Sequence, residues 1–93
     1  MSDLDEQFAK AQVDVKTLTT RPGNDDLLEL YATFKQATAG EAANANKPGR
    51  FDFVGKAKYD AWSKLAGVSA DDAKQRYVAT VQRLLGADPH NAG

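Results

Sequence analysis

The stretch NDDLLELYATFKQATAG, residues 24–40, repeats its apolar residues at helical spacing. Leu27, Leu30, Tyr31, Phe34 and Thr38 fall along one side of an α-helix, and no strand-like alternation competes with that period. Asn24 is the expected N-cap. Asp25 and Asp26 follow it, where carboxylates favour the positive end of the helix dipole. Gly40 is the expected stop, because glycine accepts the left-handed conformation that ends many helices.

Three further segments have the same period. The first runs from about Asp3 to Leu18, with Ser2 as N-cap and Leu4, Phe8, Ala11, Val15 and Leu18 as its buried stripe. TRPGN, residues 20–24, then breaks it. The third helix starts near Asp52 and ends before Gly67. Val54, Ala57, Ala61 and Leu65 form one stripe, and Lys58 and Trp62 form its neighbour. The fourth starts from Ser69, with Asp72 three residues on in a pair resembling a capping box. Ala73, Tyr77, Val81 and Leu84 line its inner side, and Gly86 ends it. EAANANKPGR, residues 41–50, has no period and reads as one ordered loop. The fold class is therefore all-α, with four helices around one core. Periodicity does not order their crossings.

The chain has 93 residues, which suggests a single domain over 1–93, with a core of about 3–86 and a frayed tail at 87–93. Cysteine is absent, so no disulfide or thiolate metal site is expected. No run reaches the length of a membrane span, and the acidic MSDLDEQF start lacks a signal-peptide pattern. A cytoplasmic monomer without stable membrane insertion is the expectation. The net charge of −1 conceals an asymmetry. Residues 1–46 carry four bases against eight acids, whereas residues 47–64 carry five bases against two acids. Overall acidity argues against nucleic-acid binding, which rests on extensive phosphate neutralisation. The local excess of bases suits a small anion, or else simply a solvated helix face.

Catalytic candidates are few. His90, the lone histidine, falls in the tail, without a fixed geometry for proton transfer. The pairs Asp25/Asp26 and Asp71/Asp72 lie in first helical turns, where dipole compensation accounts for them. No cluster has metal-ligand composition, and no glycine spacing makes a phosphate loop. No catalytic residue, metal or cofactor is expected. What remains is a binding constellation. Tyr31 and Lys35 are four apart and share a helix face, with Phe34 beside them; Lys58 and Trp62 repeat the arrangement, with Lys56 close by. Either pair alone reads more readily as a core aromatic with a snorkelling lysine. Together, beside an irregular loop, they leave the structural and the binding readings both open.

LYATFKQATAG (30–40), NKPGRFDFVGKAKYDAW (46–62) and SADDAKQRYVATV (69–81) occur in this order. Together they closely resemble the acyl-CoA-binding protein family. That family carries a Tyr-x-x-Tyr-Lys-Gln-Ala-Thr-x-Gly stretch. A Pro-Gly-x-x-Asp-Phe-x-Gly-Lys-Ala-Lys-Trp-x-Ala-Trp stretch follows, and a tyrosine lies in the last helix. The resemblance spans residues 3–85, with about one extra residue in the 41–47 loop. It implies an up-down-down-up four-helix bundle and a non-catalytic carrier of medium- and long-chain acyl-CoA, which is bound as ligand. It places adenine-nucleotide recognition and the ribose 3′-phosphate on Tyr31, Lys35 and Lys58. Lys16 helps on the anionic side, Tyr77 meets the nucleotide or the acyl end, and Leu27 and Leu28 match positions near the acyl groove. Phe34 stands at the second tyrosine of the first motif and is carried into the site as a ring without a hydroxyl.

Two other positions depart from the pattern. Val54 replaces a lysine of many members, which removes a cation, and Tyr59 replaces a tryptophan. The resemblance assigns Lys58 to phosphate, leaves Lys56 towards solvent or in longer-range support of the site, and makes Phe53 and Trp62 core or groove wall. Two other readings compete with it: a helical module that meets a partner helix through its aromatic patch, and an enzyme acting on the same thioester. The second lacks a placed nucleophile or histidine base.

Overall fold

The computed structural model describes residues 3–88. Helix α1 spans Asp3–Asp14, α2 Asn24–Thr38, α3 Phe53–Ser63 and α4 Ala70–Ala87, and short 3₁₀ turns cover Val15–Thr17 and Ala42–Asn44. Among the described residues there is no strand.

Local chemistry sets most of the boundaries. Ser69 caps α4 by accepting the Asp72 N–H at 3.0 Å, as its sequence pair predicts. Asp52 caps α3 by accepting the Gly55 N–H at 2.9 Å. A Cβ on Gly55 would lie 2.3 Å from that carboxylate, so the cap itself requires glycine there. Gly40 takes φ +85 and closes α2, and Gly67 takes φ +84 before α4.

Four boundaries differ from the sequence reading. The α-helical part of α1 stops at Asp14, not Leu18. Val15 and Thr17 are β-branched, and the Thr17 hydroxyl donates to the Asp14 carbonyl at 2.6 Å, which tightens the last turn. Gly23, not Asn24, is the N-cap of α2; its backbone is extended and its carbonyl accepts the Leu27 N–H at 3.0 Å. Gly86 does not end α4, which continues through Ala87. Nor is Asp88 frayed: it is only 3% exposed and accepts both the backbone N–H and the hydroxyl of Thr19. Ser2, expected as a cap, and His90 lie outside the described residues.

Contacts along the helices fix their directions. Asp5 pairs with Lys74, the Phe8 and Tyr77 rings lie 5.1 Å apart, and Thr19 bonds Asp88, so α1 and α4 run in parallel. Asp26 pairs with Arg83 while Phe34 meets Tyr77, so α2 opposes α4. Lys58 meets Tyr31 and Lys35 meets Trp62, so α3 runs with α2. The result is an up-down-down-up four-helix bundle, with residues 39–52 returning the chain to the start of α3. Helix α4 packs on α1 and α2, and α3 packs on α2 and the Ala42–Asn44 turn.

The core has two parts. Phe8, Ala11, Leu30, Tyr77, Val78 and Val81 join α1, α2 and α4. Ala32, Ala42, Trp62 and Leu65 join α2, the second 3₁₀ turn and the end of α3. The expected stripe of α3 is therefore only half correct. Leu65 is buried, but Ala57 is exposed and Val54 is 67% exposed, because α3 meets its neighbours near its C-terminal end. Its first turns stand apart and leave one wall of a groove open.

Candidate functional site

The loop after α2 is held by polar groups rather than by bulk. The indole Nε1 of Trp62 donates to the Gly40 carbonyl at 2.8 Å and to Gln36 Oε1 at 3.1 Å. The buried Gln36 amide donates in turn to the Val68 carbonyl at 2.9 Å and to the Glu41 carboxylate. Glu41 also accepts the Gly67 N–H at 3.0 Å. The hydrogen bond from Gln36 first, and that from Gly67 second, hold the Glu41 pKa below its ordinary value. The Tyr59 hydroxyl donates to the Ala42 carbonyl at 3.2 Å. Among the described residues, no buried side-chain polar atom lacks a partner. This network fixes the end of α3 against α2 and so sets the positions of the lysines above it.

Two of those lysines lie over rings. The Lys58 ammonium sits 5.3 Å from the Tyr31 ring centre, and the Lys35 ammonium sits 5.3 Å from the Trp62 ring centre. Among the described residues the ion pairs engage Lys10, Lys74 and Arg83, but neither Lys35 nor Lys58. Both ammonium groups thus keep donors for an anion, resting meanwhile on aromatic faces.

Beside Lys58 a groove of about 430 Å³ opens between the first turns of α2 and α3. Leu27, Leu28, Phe53, Val54 and Ala57 give it an apolar lining, and Arg21, Asn24 and Lys58 complete it. The arrangement can neutralise an anion at Lys58 and accept a chain of methylenes along the apolar lining beside it.

The described residues contain no group of His, Cys, Asp and Glu that could hold a metal ion. No helix among them is long and apolar enough to cross a membrane.

Residues 5–81 match the model of the family described as Acyl CoA binding protein. The chain belongs to the acyl-CoA-binding protein family. An acyl-CoA-binding protein homolog of Manduca sexta is 54% identical over 82 residues, covering 88% of this chain and 91% of its own. Homolog 1 of Caenorhabditis elegans is 51% identical over 78 residues, covering 84% and 90%. Among solved structures, acyl-CoA-binding protein 2 of Oryza sativa superposes with a TM-score of 0.82 at 36% identity, over 90% of this chain and 92% of that one. The protein of Moniliophthora perniciosa gives 0.81 at 39% identity, over 96% and 85%.

The eight residues carried over from the family pattern do not all meet. Leu27, Leu28 and Lys58 line the groove, Tyr31 lies under Lys58, and Lys35 stands one turn beyond Tyr31. Phe34 turns towards α1, with its ring 6.0 Å from Phe8 and 6.2 Å from Tyr77. Tyr77 is 6% exposed and belongs to the core. Burial raises its pKa, which keeps the phenol a neutral donor. Lys16 lies exposed on the Val15–Thr17 turn and does not line the groove. Lys56 lines a separate depression with Lys47, Pro48, Tyr59 and Asp60.

Sequence reasoning missed Arg21 and Asn24 because both were read as parts of a helix break and a cap. It misplaced Val54 and Ala57 because helical period finds a stripe without saying what covers it. The lysine that many members of this family carry at position 54 was the available signal, since a lysine there marks an exposed site.

Proposed function

We propose that this chain binds medium- and long-chain acyl-CoA thioesters without transforming them, and that it carries or buffers them in the cytoplasm as a monomer. One observation carries the reading: Lys58 both lines the apolar groove and rests over the Tyr31 ring. A ligand with an anionic, flat head and a long apolar tail uses both at once. The family motifs and the names of the relatives support the same ligand class.

Magnitudes favour a two-part ligand. A charge-assisted hydrogen bond from a lysine contributes about 1.5–3 kcal/mol. Stacking of a base on an aromatic ring contributes about 1–3 kcal/mol. Each methylene fully removed from water adds about 0.8 kcal/mol, so a chain of about fourteen supplies at most ~11 kcal/mol before ordering costs. Neither a head nor a tail alone reaches the affinity of both. In this reading the 3′-phosphate sits with Tyr31, Lys35 and Lys58, and the acyl chain lies along Leu27, Leu28, Phe53 and Val54.

Calorimetry with a series of acyl-CoA esters, free coenzyme A and free fatty acid tests this. Affinity should rise with chain length, and both free coenzyme A and free fatty acid should bind weakly. Equal affinity for acyl-CoA and free fatty acid would remove the nucleotide contacts from the reading. Incubation with acyl-CoA should release no free coenzyme A.

A further inference from the structure

Two cations bracket the groove. Lys58 stands at one end, over the Tyr31 ring, and Arg21 stands at the other, beside Asn24 at the start of α2. Leu27, Leu28, Phe53, Val54 and Ala57 make the span between them apolar, and no carboxylate lines it. Val54 matters here, because the lysine that many members of the family carry would put a charge into the middle of that span. From Tyr31 back to Asn24 is seven positions, about 10 Å along the helix axis. An extended chain advances about 1.2 Å per bond, so about eight bonds lead from the Lys58 end to Arg21.

Arg21 is exposed and is in no ion pair among the described residues. It also borders a second hollow, of about 230 Å³, between the α1–α2 connection and the end of α4. That hollow is charged, but its acids are already engaged: Asp26 pairs with Arg83, and Asp88 accepts from Thr19. A chain that follows the groove therefore passes from apolar surroundings to an uncompensated guanidinium. A methyl end gains nothing there. A carboxylate gains a planar, two-pronged donor that matches its own geometry, with the Asn24 amide as neighbour.

We propose that Arg21, with Asn24, forms a site for a carboxylate at the far end of the acyl chain, so that the protein also takes the mono-CoA thioesters of dicarboxylic acids. The inference rests on the acyl-CoA reading above and adds a ligand class to it.

Calorimetry with three ligands of equal chain length tests it: hexadecanoyl-CoA, the mono-CoA thioester of hexadecanedioic acid, and that thioester with its free carboxyl methylated. Each is titrated into wild type, Arg21→Gln and Arg21→Lys, with thermal melts to confirm folding. The readout is affinity relative to hexadecanoyl-CoA, which cancels any general effect of position 21 on the groove. For the carboxylate ligand, Arg21→Gln should lower this ratio about five- to tenfold, the scale of a guanidinium–carboxylate pair at a partly solvated site. Arg21→Lys should restore most of it, and added salt should shrink the difference. The ratio for the methylated ligand should not respond to the substitution. Across dicarboxylic thioesters of ten to eighteen carbons, wild-type affinity should pass through a maximum at the length that brings the carboxylate to Arg21. A ratio that ignores Arg21→Gln, or a methylated ligand that responds as strongly as the carboxylate, overturns the proposal while hexadecanoyl-CoA still binds. Failure of hexadecanoyl-CoA to bind the wild type would overturn the ligand reading itself, and this site with it.

Discussion

The carboxylate of Asp88 accepts the backbone N–H of Thr19 at 2.8 Å and also the Thr19 hydroxyl, tying the end of α4 to the α1–α2 connection across 69 residues of sequence. This connection leads directly into Arg21 and Asn24, both of which line the groove. The latch therefore bears on stability and on the shape of the site together.

Asp88→Ala leaves the Thr19 N–H and hydroxyl without that acceptor. Losing a partly buried, charge-assisted pair of this kind should cost about 2–3 kcal/mol. For a domain of this size the melting temperature should fall by roughly 10 °C or more. Asp88→Asn keeps one acceptor and should lose less. Thermal melts followed by circular dichroism distinguish the two. A melt of Asp88→Ala unchanged from wild type would show that the α4 end is not anchored there.

Val54→Lys introduces the lysine that many members of the family carry. Val54 is 67% exposed, so the new ammonium would not be buried. The cost to stability should stay within about 0.5 kcal/mol, including repulsion from Lys58 one turn on. An added cation at the groove should strengthen acyl-CoA binding roughly two- to fivefold at low salt, the range of a partly exposed ion pair. The gain should fade as salt rises. A large drop in melting temperature without a gain in affinity would return Val54 to the core.

The contrast between Val54 and Leu65 shows where the sequence was legible. Both fall on one helical stripe, but only Leu65 is covered. Local chemistry was readable at several turns, Ser69 on Asp72, Asp52 near the start of α3 and Gly40 at the end of α2, though not at the Gly23 cap of α2 or the early close of α1 at Asp14. It failed where a distant partner decides. Gly86 stays helical beside Asp88, whose partner Thr19 lies far back in the chain, and no local pattern announces that bond. Likewise the lysine pairs were visible at i, i+4. Their convergence requires α2 and α3 to run in parallel, and periodicity alone leaves that direction undetermined. The up-down-down-up order came from the family motifs, and the contacts of Lys58 and Lys35 agree with it.

Glu41 should make the loop network sensitive to acid. Hydrogen bonds from Gln36 and Gly67 lower its folded pKa from the ordinary 4.5. A depressed carboxylate contributes stability that is complete above its unfolded pKa and is lost as pH falls through the lower folded value. Wild-type stability should therefore decline below about pH 4.5. Glu41→Gln should be less stable at neutral pH but show a shallower acid decline. Trp62, the single tryptophan, reports on the same network through Gln36, so its emission should change over that acid range in the wild type. Identical acid slopes in wild type and variant would remove Glu41 as the cause.

Lys35 and Lys58 give the sharpest test of the proposed head-group site. Each ammonium lies 5.3 Å from a ring centre, and neither is in a salt bridge among the described residues. Lys35→Ala or Lys58→Ala should each cost about 1.5–3 kcal/mol of acyl-CoA binding, a tenfold to hundredfold loss. Stability should fall much less, because a cation–π contact near the surface contributes about 0.5–1 kcal/mol. If both address one phosphate, the double variant should lose less than the product of the two single losses. The losses should shrink sharply with 3′-dephospho-acyl-CoA, which lacks the group assigned to them. Calorimetric titration of both ligands against wild type and the two single variants gives the comparison. Equal losses for the two ligands would mean that the lysines serve another part of the ligand, and the 3′-phosphate would then have to be placed elsewhere.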